Sequence, residues 1–113
     1  IERLNEAIQL DPNYAHAYFL RGFAYHRRGE QVNEAENRKR TRPGDIPLVF
    51  GSPFLSSDAR ADYERAIRDY TKGIQLDPNN PWGYKNRGFA YQALGQDSKA
   101  QQDWDKARSL GIE

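Results

Sequence analysis

The sequence contains no cysteine and no methionine. Without cysteine, disulfides and thiolate metal sites are excluded, and the redox compartment stays open, since a chain without thiols suits either side of a membrane. Histidine is nearly absent: His16 and His26 are the two. Ten residues apart on one helix, they stand about 15 Å from each other along its axis and cannot share a metal. No apolar run approaches the roughly 20 residues that cross a bilayer, and no signal peptide is visible at the amino end. Charge of one sign is not in surplus either. Lys and Arg number 17 against 16 Asp and Glu, for a net +1, so global charge singles out no class of partner. HExxH, a phosphate-cradling glycine loop and a nucleophile-elbow serine are all missing. Neither catalysis nor a cofactor is expected, and the numerous acids read as exposed, solvated helix faces. The chain opens with Ile1 and has no Met, so it reads as an excised domain or fragment.

A hydrophobic fraction of 37% and a mean hydropathy of −1.00 are lean for one globular core. They suffice for thin layers that bury one another. What the sequence does contain is repetition. Ile8-Gln9-Leu10-Asp11-Pro12-Asn13 returns as Ile74-Gln75-Leu76-Asp77-Pro78-Asn79, and Arg21-Gly22-Phe23-Ala24-Tyr25 returns as Arg87-Gly88-Phe89-Ala90-Tyr91, both 66 residues on. Tyr18 and Tyr84 keep that offset, as do Gly29 and Gly95. Ala66, Asp69, Lys72 and Leu76 match Ala100, Asp103, Lys106 and Leu110 at an offset of 34, so the period is 34 and the longer offset contains an insertion of 32.

The pattern has physical content. Tyr18, Gly22 and Tyr25 share one helix face. A glycine inside a helix costs about 1 kcal/mol relative to alanine. Gly22 and Gly88 repeat that cost at matched places, which points to close helix–helix approach. Asp11-Pro12 and Asp77-Pro78 stop helices. Gly29 and Gly95 are expected to permit the turn between paired helices. The spacing predicts helices over about 1–10, 14–28, 58–76, 82–94 and 97–109.

With these residues in place, the chain resembles the tetratricopeptide repeat family. Its units are helix–turn–helix hairpins of about 34 residues, marked by an aromatic, Leu-Gly and Tyr, then Ala, an aromatic and Pro. Tyr84, Gly88, Tyr91, Ala100 and Trp104 fit that spacing. Tyr18, Gly22, Tyr25, Ala66, Tyr70 and Pro78 fit it once the insertion is removed, and Leu4, Ala7 and Pro12 resemble the end of a preceding repeat. Arg21 and Arg87 depart from the pattern by replacing Leu, and Ile112 stands in the place of Pro. The resemblance implies an all-α fold of antiparallel helix pairs stacked as a short right-handed solenoid. The expected organisation is the end of one repeat over 1–14, a repeat over 15–80 interrupted by an inserted loop at 31–62, and a near-complete repeat over 81–113.

A degenerate extra repeat is a poor account of the insertion. Glu34 and Arg38 would stand where Ala and an aromatic are needed, and Pro53 would fall in mid-helix. An inserted loop fits better. It begins with a charged stretch, Gln31 to Arg42, that can prolong the previous helix for a turn or two. Pro43-Gly44 then breaks the chain. The apolar segment Ile46 to Leu55 follows, with Ser57 as the expected N-cap of the next helix. Lengthening the turn this far costs roughly 2 kcal/mol of closure entropy. It also allows a homodimer formed by exchange of helices.

Three candidate sites emerge. In proteins of this resemblance a second stripe on the first helix of each unit lines a concave groove that holds a peptide or helix. Here the stripe comprises His16, Phe19, Phe23 and His26, then Trp82, Lys85, Asn86, Phe89 and Gln92. Phe23 and Phe89 read equally well as packing residues between units; Phe19 and Lys85 read more as binding residues. A subfamily that clamps chaperone tails places Lys and Asn where this chain has Phe19 and Phe23, which disfavours that ligand although Asn86 fits. The second candidate is the basic run Arg38, Lys39, Arg40 and Arg42, a patch for nucleic acid or another anionic surface. No stacking aromatics interleave with it, so a solvated loop is preferred and nucleic acid disfavoured. The third is the apolar stretch Ile46 to Leu55, as a ligand for the chain's own groove or for a partner, with a loop packed loosely on the helix pair or disordered as the preferred reading. Protein or peptide binding is the function expected.

Overall fold

The computed structural model describes residues 1–40 and 55–111. These fold into five helices: α1 (Glu2–Leu10), α2 (Ala15–Arg40), α3 (Ser57–Leu76), α4 (Pro81–Ala93) and α5 (Asp97–Ser109). α1 rests on α2, α2 pairs with α3, α3 meets α4, and α4 pairs with α5. The result is the expected all-α stack of helical hairpins. No helix among the described residues is long and apolar enough to cross a membrane.

The Asp-Pro-Asn turns end their helices as the sequence implies. Asp11 and Asp77 donate their backbone N–H groups to the carbonyls of Ala7 and Gly73. Each turn is then tied down from the following helix: the Tyr18 hydroxyl donates to the Pro12 carbonyl at 3.0 Å, and Tyr84 does the same to Pro78 at 3.1 Å. Asn80 caps α4 by accepting from Trp82 N, with Pro81 in the first turn, where a missing N–H is harmless. Gly95 adopts φ +77° between α4 and α5, the left-handed geometry that glycine supplies freely.

The insertion differs from expectation. Residues 31–40 prolong α2 by more than the turn or two expected of the charged stretch, and α3 begins at Ser57, one residue before the expected 58 and inside the span assigned to the loop. Ser56, not Ser57, is the N-cap, its Oγ accepting from Ala59 N at 3.1 Å. Gly29 is therefore not in a turn but buried inside α2. The reason is a heptad copied within the hairpin. Arg21-Gly22 recurs as Arg28-Gly29, and on the opposing helix Ala59, Asp62 and Tyr63 precede Ala66, Asp69 and Tyr70 by seven residues. A step of seven is two helical turns, so the copy meets its partners on the same faces. A Cβ at Gly22 would stand 2.9 Å from the Tyr70 ring, and one at Gly29 would stand 3.2 Å from Tyr63.

A second difference concerns the acids. Asp62, Asp69 and Asp103 are buried rather than solvated. Each is gripped by the arginine of the facing helix through Nε and Nη2: Arg21–Asp69 at 2.7 and 2.7 Å, Arg28–Asp62 at 2.9 and 2.7 Å, and Arg87–Asp103 at 2.8 and 2.7 Å. Arg21 also donates to Asn5 of α1, and Arg87 to Thr71 of α3. Each of these two arginines thus joins its own hairpin to the helix before it. The three guanidiniums lie 5.2 to 5.8 Å above Tyr25, Tyr18 and Tyr84. This explains why Arg stands where such repeats carry Leu. A buried carboxylate requires a paired charge, and the planar fork of Arg matches it bidentately.

Candidate functional site

The stripe positions on α2 and α4 share one side of each helix by the helical period, and the two helices touch. The structure sorts the stripe into two groups. Phe23, Trp82 and Phe89 are exposed, at 50%, 57% and 42%, the side chains a monomer would be expected to cover if their role were packing alone. Lys85 holds its ammonium 5.0 Å above the Trp82 ring. Asn86 is half-buried beside it, and His16 and Gln92 are exposed at the two ends.

Phe19 and His26 belong to the second group. Phe19 is half-buried in a notch left by two glycines: a Cβ on Gly73 or Gly83 would come within 2.5 and 2.6 Å of its ring. It wedges α2 against the α3–α4 corner. His26 sets its ring edge-on to Tyr63 at 5.5 Å, with Nε2 2.8 Å from Glu30 Oε1. Burial pushes the imidazole below its ordinary value despite the upward pull of Glu30. Phe19 thus serves the joint, whereas Phe23 and Phe89 face solvent. Phe89 keeps a secondary contact with Trp104, ring centroids 5.4 Å apart. Trp104 in turn donates Nε1 to the Lys85 carbonyl at 3.3 Å and lies over Gly88, where no side chain would fit. So the α4 half of the stripe is braced from behind by α5.

Beneath the stripe the core is aromatic. Tyr70 is fully buried among Ala66, Ala90, Phe19 and Tyr25, and burial holds its hydroxyl protonated well above the usual tyrosine range. Tyr63 is pushed up to about 12 for the same reason. Neither phenol ionises near neutrality. Among the described residues, no group of three His, Asp or Glu is placed to hold a metal. Of the basic run, Arg38 is exposed near the end of α2. The side chains of Lys39 and Arg40, together with Arg42 and most of Ile46 to Leu55, lie outside the described residues.

The exposed aromatics thus sit on the first helices of two stacked hairpins, with one insertion-bearing unit before the second. A family model described as TPR repeat matches residues 1–29 and 59–95, leaving out residues 30–58 between them. The chain belongs to the TPR repeat family. Among curated relatives, this TPR chain is 35% identical over 77 residues to a heat-shock protein cognate co-chaperone of Aspergillus fumigatus, covering 68% of the chain and 23% of that protein. It is 32% identical over 72 residues to a small glutamine-rich tetratricopeptide repeat-containing protein of Mycosarcoma maydis, covering 60% of the chain and 20% of the relative. It is 26% identical over 101 residues to the photosystem I assembly protein Ycf3 of Cyanophora paradoxa, covering 85% of the chain and 58% of the relative. The chain therefore spans less than two thirds of each of these proteins.

Proposed function

We propose that this TPR chain is a protein-interaction module that holds a peptide or helix of a partner against the exposed aromatics of α2 and α4. Phe23, Trp82 and Phe89 are the anchors, and Lys85 and Asn86 supply charge and hydrogen bonding. The observation that carries this reading is the three large aromatic side chains left in water on the stripe, one of them beneath a lysine. Aromatic anchors ringed by sparse polar groups are how interfaces concentrate affinity. Membership of the TPR family and the co-chaperone and assembly names of two relatives support binding rather than catalysis. A chaperone-tail carboxylate is not the favoured ligand, because Phe19 and Phe23 occupy the positions where clamp-type repeats carry Lys and Asn.

Panning a displayed random-peptide library against the purified chain tests this. Selected peptides are expected to lose at least tenfold in affinity on Phe23→Ala and on Trp82→Ala. Both side chains are exposed, so the fold survives either change. Peptides that bind both variants as well as the wild type would remove the stripe from consideration. Binding that collapsed with salt instead would favour the basic run Arg38 to Arg42, and a concentration-dependent mass would favour helix exchange.

A further inference from the structure

A second site lies on the opposite side of α2. Tyr25 is two residues beyond Phe23, roughly 200° round the helix. There a cavity of about 380 Å³ opens between α2 and α3, lined by Arg21, Tyr25, Arg65, Arg68 and Asp69. Its charge is unbalanced. Asp69 is already held by both arms of Arg21, and the neighbouring Asp62 by Arg28 and Arg65. Arg68 is exposed and has no carboxylate partner among the described residues. Three guanidiniums and one carboxylate line the cavity, an excess of two positive charges in a chain whose formal net charge is +1. Arg65 spends only Nη1 on Asp62, at 2.7 Å, and its guanidinium lies 6.0 Å from the Tyr25 ring.

The next unit provides an internal control. Its equivalent residues 34 positions on are Lys99 for Arg65 and Gln102 for Arg68, and Lys99 rests 5.6 Å above Tyr91. The scaffold is the same, but both free forks are gone. We propose that the first unit's cavity binds the phosphomonoester of a phosphorylated peptide. Arg65 and Arg68 take its oxygens, and Tyr25 forms one wall. A phosphomonoester carries a charge of about −1.5 to −2 near neutrality, which matches the excess, and arginine forks are shaped for its paired oxygens.

The test is an NMR titration of the 113-residue chain. The probes are inorganic phosphate, a short phosphoserine peptide, its unphosphorylated twin and its glutamate twin. The expected result is saturable binding of the phosphopeptide, tighter than that of free phosphate, with shifts centred on Tyr25, Arg65 and Arg68. Arg68→Gln and Arg65→Gln each weaken it at least tenfold, while Gln102→Ala leaves it within twofold. Thermal melts confirm that the exposed Arg68→Gln variant is folded. No saturation in the millimolar range, shifts centred elsewhere, or an unaffected Arg68→Gln variant would overturn the site. A glutamate twin or free phosphate binding as tightly as the phosphopeptide would overturn the assigned ligand.

Discussion

The two hairpins of this chain are built from the same parts in different lengths. The α4–α5 hairpin has one arginine–aspartate fork, Arg87–Asp103, and one glycine seat, Gly88 beneath Trp104. The α2–α3 hairpin has two such fork-and-glycine sets, Arg21–Asp69 with Gly22 and Arg28–Asp62 with Gly29, besides the Gly73 seat beneath Phe19. The second set lies one heptad further from the Asp-Pro turn. A repeat thus absorbs an insertion without distorting its neighbours when the added residues extend both helices in register, because seven residues return each side chain to its own face.

The forks offer the sharpest way to probe the comparison. Arg87→Leu or Asp103→Leu leaves a buried charge unpaired and is expected to cost about 3 kcal/mol in denaturant unfolding. The double replacement should lie within about 1 kcal/mol of wild type, since an apolar pair removes both charges together. The glycine seats come next. Gly22→Ala would press a methyl into Tyr70 and the Ala66 carbonyl at 2.9 and 3.2 Å and is expected to cost about 2 kcal/mol. Gly29→Ala meets Tyr63 at 3.2 Å and Ala59 O at 3.3 Å, with more room to give. The roughly 1 kcal/mol gained in helix propensity should bring it near zero.

Between the two glycine changes stands Arg28→Leu. The Arg28 side chain is 46% exposed and Asp62 retains Arg65, so a loss of about 1 kcal/mol is expected after allowance for solvent screening. The same pair has a pH signature. Hydrogen bonding to Arg28 holds the Asp62 carboxyl below its ordinary value of 3.8. Its stabilisation is therefore complete above about pH 4 and is lost as pH falls through the folded value, where the unfolded chain binds more protons. Asp62→Asn should remove that part of the acid slope in a pH series of melts. The least effect is that of His26, lowered by burial. Its contribution is present above about pH 6.5 and fades as pH falls, so His26→Gln should flatten the profile just below that point.

Much of this architecture was legible in the residues. The offset of 34 gave the hairpins, the Asp-Pro pairs gave their ends, and the glycine–aromatic spacing gave the packing faces. What escaped was shorter in period or hidden by burial. The copied heptad was written as Arg21-Gly22 before Arg28-Gly29 and as Asp62-Tyr63 before Asp69-Tyr70, but an insertion of 32 residues read as a loop masks a period of seven. The buried aspartates had a signal as well, since Arg21 and Arg87 shared an offset with one another and Asp69 and Asp103 did likewise. Composition alone cannot pair them, because an acid on a polar helix is usually solvated. For the stripe, sequence placed its members on one side of each helix. It could not sort Phe19 from Phe23, because the glycines that seat Phe19, Gly73 and Gly83, lie on other helices.

The most direct test of the shared-heptad account is a deletion cycle. Removing residues 22–28 shortens α2 by one heptad, and removing residues 63–69 shortens α3 by the same amount, each fusion retaining the Arg-Gly or Asp-Tyr junction. Each single deletion leaves one half of the copied set without partners and should lower unfolding stability markedly. The double deletion re-forms one fork, Arg21 with Asp62, and should be more stable than either single variant. A double deletion that loses the sum of the two single losses would contradict the account.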